Sequence, residues 1–276
     1  MLYLSHPHRQ QLKYAYDFDP KSKTAAAFVV QFVDSGARVL EIGAGAGSIA
    51  RPLTEVMHAK VTALEIDPVS ADYLETFCAR VVQADLNHPD WTDHFKAEPA
   101  FDAVVMADVL EHLLDPLSTL RAAASLLKPD GAVIVSLPHA GHNSVLACLL
   151  SADLEYREWG LLDKTHLRFF GIKNMKQLVR DAGLKIVDAR FVVKSPSKTE
   201  FKDKWARLPM MLRYGLRSNR YGNVYQVVFK AVGAFCAPAE MDLETVPIPT
   251  NPRGIAGWRR KSEKRAAKLM RRLSHT

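Results

Sequence analysis

The stretch VLEIGAGAGSIA, residues 39–50, constrains this chain more than any other. A β-branched run leads straight into three alternating glycines and then into a helical pattern. Gly43, Gly45 and Gly47 let the backbone turn tightly and approach a ligand, and a helix N-terminus behind them offers free N–H groups. The same rhythm continues along the chain, with candidate strands at 38–43, 60–66, 80–85, 101–107, 131–137, 185–193 and 223–231. Helical signals separate the first six. A helix is expected over 18–36, capped by Asp19 with Pro20 in its first turn, and another over 115–131, ending at Pro-Asp-Gly. This alternation predicts an α/β fold: a mostly parallel sheet with helices on both faces.

The glycine turn has a particular ligand preference. Its spacing is G-x-G-x-G, with Ser48 where a dinucleotide fingerprint has its third glycine. Glu41 stands two residues before Gly43, badly placed for a pyrophosphate and well placed for a cationic group. Glu65 ends the second strand, where a carboxylate can accept both hydroxyls of a ribose. Asp85 ends the third, placed to accept from an adenine amino group. These positions describe a site for a nucleoside with a charged tail.

Charge is unevenly spread. Of the net +7, the segment from Arg253 onward holds nine Lys or Arg and one Glu. The first 252 residues hold 28 basic and 29 acidic groups, net −1, which is no nucleic-acid footprint. The tail, 253–276, reads as an imperfect amphipathic basic helix with Trp258 as an anchor. It suits an anionic membrane surface, with nucleic-acid contact or a solvated end as alternatives. Three scattered cysteines argue against a disulfide frame or thiolate zinc site and for a reducing compartment. With no signal-peptide core and no long apolar run, a cytoplasmic protein is expected, peripheral to the inner membrane face if the tail docks there.

VLEIGAGAGS, ALEID, QADL, FDAVVMADVLEHLLDP and LLKPDGAVIVSLP, in this order and spacing, resemble the class I S-adenosylmethionine-dependent methyltransferases. The resemblance covers roughly residues 36–192. It implies a Rossmann-like sheet of seven strands with the last antiparallel, and S-adenosyl-L-methionine as cofactor. It places Glu41, Gly43, Ala44, Gly45 and Gly47 at the methionine part, Glu65 and Ile66 at the ribose, and Asp85 and Leu86 at the adenine. Ala107 and Asp108 would close over the sulfonium.

Methyl transfer to a hydroxyl needs a base beside the acceptor. The segment 138–172 breaks the strand–helix rhythm and supplies candidates in SLPHAGHNSV and GLLDKTHLRFFG: His139, His142, Asp163, His166 and Arg168. Trp159 and Phe169 offer aromatic faces, and Glu111 and His112 stand beside the cofactor. No metal is expected, because Asp108, Glu111 and His112 crowd one short stretch. Both segments resemble a bacterial subgroup associated with glycan biosynthesis, which implies an acceptor lid and His142 as general base; His139 stands where that pattern has Asn. The expected organisation is a methyltransferase domain over 1–252 with a helical insert at 194–222, then the tail. The insert is a roof for the acceptor or a homodimer face. The expected activity is O-methylation of a sugar hydroxyl of a glycan or lipid-linked precursor, the alternative acceptor being phenolic or quinone-like. A non-catalytic adenosylmethionine-binding protein is the rival from another class.

Overall fold

A computed structural model describes residues 15–249. Seven strands form one sheet: β1 Arg38–Ile42, β2 Lys60–Glu65, β3 Arg80–Gln83, β4 Phe101–Ala107, β5 Leu127–Pro138, β6 Leu184–Val193 and β7 Val224–Gly233. Their order is β3-β2-β1-β4-β5-β7-β6. The first five run parallel, while β7 inserts antiparallel between β5 and β6. The central strands β1 and β4 are mostly apolar and buried over most of their length, as parallel strands under helices must be, with Glu41 the buried exception.

Helices α1 Ala25–Gln31 and α2 Ala50–Glu55, with Leu74 of α3 (Pro68–Leu74), pack onto one cluster built from Val39, Val61, Val105 and Ile134. Helices α4 Pro116–Ser125 and α6 Ile172–Asp181 pack against each other and flank β5 and β6. Asp115 caps α4 as its sequence suggests, its carboxylate accepting from the Ser118 amide at 3.0 Å.

Two local expectations are corrected. The helix expected from residue 18 starts at Ala25, capped by Thr24. Asp19 instead closes its own turn, its side chain accepting from the Lys21 amide at 2.9 Å and its carbonyl from Ser22 at 2.8 Å. An Asx turn satisfied this way competes with helix initiation, and the apolar run worth burying begins only at Ala25. The Pro-Asp-Gly at 129–131 does not precede β5 but lies within it. It forms an irregularity between the pairs Phe101–Leu127 and Ala103–Ala132, where a missing proline N–H does no harm.

The segment after β5 continues into α5, Asn143–Leu150, and a loop back to α6. The insert after β6 carries α7, Lys202–Arg207, and α8, Met210–Gly215. Val145 and Cys148 of α5, Leu161 and Leu162 of the loop, and Phe201 of the insert form a second small core, with Tyr225 of β7 against it. No helix among the described residues is long and apolar enough to cross a membrane. The fold closes at Val246, and the basic tail 253–276 lies outside the described residues.

Candidate active site

Two adjoining cavities, of about 530 and 680 Å³, open at the carboxyl ends of the parallel strands. Gly43, Gly45, Asp108 and His112 border both. In the glycine turn, Gly45 has φ +51° and open space where a Cβ would stand, so a ligand can lie directly on its backbone. Gly47 serves differently. It borders neither cavity, and a Cβ there would come within 2.5 Å of the Phe77 ring, so it is a packing glycine and not a ligand contact.

Glu65 ties the turn to β2: its carboxylate accepts from the amides of Gly45 (2.6 Å), Ile66 (2.9 Å) and Asp67 (2.9 Å). It borders the larger cavity together with Ile66, Asp85 and Leu86. Asp85 is held at that rim by Asn87, whose backbone amide donates to it at 2.9 Å.

Glu41 and Ala44 border the other cavity with Ala107. Glu41 is buried, and its Oε2 has no hydrogen-bond partner among the described residues. Burial first, and the nearby Glu65 carboxylate second, push its pKa up to about 8. A buried, unpaired carboxylate is costly unless a cation meets it.

Asp108 stands where the cavities meet, in the left-handed region at φ +53°, unusual for a non-glycine residue. Ser136 Oγ and Gln226 Nε2 each donate to it at 2.8 Å and hold it there. Asp108 is exposed where it lines the cavities, yet desolvation by the surrounding walls raises its pKa despite those two bonds.

On the acceptor side the histidines divide. His142 is fully buried and borders neither cavity. Its Nδ1 accepts from the Ser144 amide at 3.1 Å as the N-cap of α5, and its Nε2 donates to the Lys194 carbonyl at 2.8 Å. Burial pushes its pKa down to about 4. Both ring nitrogens are thus committed to the backbone, and the structure does not bring His142, expected as the general base, to either cavity. His139 is likewise buried outside the cavities, donating from Nδ1 to the Val224 carbonyl at 3.2 Å. Arg168 is exposed and donates to the Leu114 carbonyl at 2.6 Å, away from both cavities. Phe169 also lies outside the cavity lining, its ring edge-on to His166.

Glu111, His112, Asp163, His166 and Trp159 do border the smaller cavity. Asp163 accepts from the amide and hydroxyl of Thr165 at 2.8 and 2.7 Å, and Thr165 in turn meets His112 Nδ1 at 3.0 Å. Glu111 is completely buried with neither oxygen partnered among the described residues, and its Oε1 lies 3.9 Å from His166 Nε2. Burial, then Asp108, raises the Glu111 carboxyl well above its ordinary range. Burial, then His112, lowers His166 to about 4. One donor atom each from Glu111, His112 and His166 lies within 4.8 Å of the others, so among the described residues these three could hold a metal ion.

Sequence reasoning missed Tyr16, Tyr225 and Gln226, which also border this cavity. A glutamine in the apolar run VYQVVFK was the available signal for Gln226. Tyr16 had none.

The sequence model of the methyltransferase domain family matches residues 13–189. The chain belongs to that family. The ubiquinone biosynthesis O-methyltransferase of Ruegeria pomeroyi is 33% identical over 168 residues, 59% of this chain and 65% of that protein. The protein of the same name from Neisseria meningitidis serogroup C is 29% identical over 160 residues, 56% of this chain and 66% of that protein. The methyltransferase thus spans just under two thirds of these relatives' length. Among solved structures, a methyltransferase-fold protein of Bacillus halodurans superposes with a TM-score of 0.54 at 18% identity, over 75% of this chain and 97% of that one. A SAM-dependent methyltransferase of Thermotoga maritima gives 0.51 at 20%, over 75% and 87%. Both share its fold.

The cofactor of this methyltransferase is S-adenosylmethionine, and the residues present fit it. The orphaned Glu41 carboxylate suits its ammonium group, and the open face of Gly45 gives it room. Glu65 and Asp85 offer acceptors for hydroxyl and amino groups.

Proposed function

We propose that this methyltransferase methylates a phenolic oxygen of a quinone-type aromatic acceptor, with His166 as general base and Glu111 behind it. The observation that carries the reading is the completely buried, unpartnered Glu111 carboxyl 3.9 Å from His166 Nε2, on the wall of the cavity that Asp108 joins to the cofactor side. A glycan hydroxyl, expected first from the lid motif, has no counterpart among the matched relatives described above. Their printed activity supports the quinone alternative.

S-adenosylmethionine supplies an electrophilic methyl group when bound. The chain's own task is alignment and proton removal. The Trp159 and Tyr225 rings on the cavity wall give a flat acceptor its orientation. His166 is neutral in the free site because burial disfavours its charge, so Nε2 has a lone pair for the phenolic proton. Once that proton arrives, the imidazolium stands beside Glu111, whose carboxyl burial holds neutral in the free site and which the new positive charge draws towards ionisation. The Asp163–Thr165–His112 chain fixes the neighbouring wall.

The test is turnover of labelled S-adenosylmethionine with a soluble catechol. His166→Gln should lower kcat by about 10²-fold, the usual scale for a lost general base, with cofactor affinity unchanged. Turnover within a few-fold of wild type removes His166 from the chemistry. Label transferred to glycan fractions and not to the catechol overturns the acceptor assignment.

A further inference from the structure

The insert after β6 is the least explained part of the molecule. It lies beyond the residues that match the family. Helix α8, Met210–Gly215, buries none of its residues. Met210, Met211 and Tyr214 are 74%, 77% and 66% exposed. At 100° per residue these three fall within an arc of about 100° on one side of the helix. Leu212 is also exposed. Cations frame this apolar tip: Arg207 precedes it, Arg213 lies within it, and the Arg217 guanidinium sits 5.8 Å from the Tyr214 ring centroid. Over residues 195–222 the chain has seven Lys or Arg and two acids, net +5, although the first 252 residues are close to neutral.

We propose that α8 is a membrane-docking prong that sets Met210, Met211 and Tyr214 into the headgroup boundary of an anionic lipid bilayer. Charge selects this occupant. A second copy of the chain meeting the tip about a two-fold axis would oppose one net +5 segment to another. The chain's own tail carries nine cations and one acid, so it repels the tip as well. An anionic leaflet complements the cations and accepts the apolar side chains together, and arginines can extend past a buried stem to phosphate. The docking is also connected to the site. Glu200, on the same insert, accepts from the Leu161 amide at 2.8 Å and from the Tyr225 hydroxyl at 3.0 Å, and Tyr225 is cavity wall. The docking does not depend on which acceptor is methylated.

The full-length protein is sedimented with vesicles of phosphatidylcholine alone and of phosphatidylcholine with phosphatidylglycerol. Wild type should bind the anionic vesicles preferentially, and binding should weaken as salt rises. M210E/M211E changes only exposed positions, so it should fold normally and keep its cofactor affinity while its partitioning falls at least about tenfold. Wild-type partitioning in that variant overturns the proposal and moves any attachment to 253–276. Absence of vesicle binding by wild type, or equal binding to both vesicle types, overturns it too.

Discussion

Replacing Glu41 with Gln separates what this residue costs the fold from what it gives the ligand. The carboxyl is buried and has its pKa pushed from an ordinary 4.5 to about 8. Because the folded value lies above the unfolded one, the folded state is unpenalised below about pH 4.5 and loses stability as pH rises towards 8. Each pH unit in that window is worth about 1.36 kcal/mol. Between pH 5 and pH 7.5 the ligand-free wild type should therefore lose roughly 3 kcal/mol that Glu41→Gln does not lose. The buried amide adds its own penalty of about 1–3 kcal/mol, but that penalty is the same at every pH and leaves the difference in slope intact. For a domain of this size each kcal/mol moves Tm by roughly 2–4 °C. The assay is thermal unfolding of both proteins across this pH range without ligand, beside cofactor affinity by calorimetry. The variant should gain on wild type as pH rises while its affinity for S-adenosylmethionine drops at least about tenfold, the scale of a lost buried ion pair. Parallel pH profiles would refute the reasoning, because they would mean that Glu41 is not held neutral by burial.

Two further outcomes follow from the same geometry. His142→Ala should destabilise the protein by about 2–4 kcal/mol, losing a helix cap and a buried hydrogen bond, while kcat and cofactor affinity change little. Because His142 is depressed to about 4, wild-type stability should fall as pH drops from 6.5 towards 4, and the variant's should fall less; denaturant melts at several pH values check this. Glu200→Gln should raise the KM for a catechol by about tenfold with kcat and cofactor affinity nearly unchanged, since it bonds the Tyr225 wall and the Leu161 loop; steady-state kinetics check it.

The half of the cavity wall built from the glycine turn and the strand ends was legible because it rests on local sequence. The glycine turn, Glu65 and Asp85 sit at strand ends, and strand ends follow from β-branched runs and glycine. The acceptor half was legible only in composition. GLLDKTHLRFFG contributes Asp163 and His166 to the cavity but turns Arg168 and Phe169 away, and nothing in the order of residues says which. His142 shows why. Its position before a helix-forming run makes it an N-cap as readily as a base, and only the Lys194 carbonyl, fifty-two residues on, decides. Gln226 is the reverse case: a glutamine in a mostly apolar strand, whose partner Asp108 lies 118 residues earlier.

That last pairing bears on how the enzyme comes into being. The strand holding Gln226 is the last of the sheet to leave the ribosome, yet it must slide between two neighbours already made. Until it does, β5 and β6 have no shared partner, and Asp108 lacks one of the two donors that keep its backbone in the left-handed region. A nascent chain that stops before β7 would present the glycine turn but lack Gln226 and Tyr225 from the wall of the adjoining cavity. Cofactor binding is thereby expected only of polypeptides that have completed their slowest, most non-local pairing, and cofactor in the surrounding solution would then favour those finished molecules by mass action.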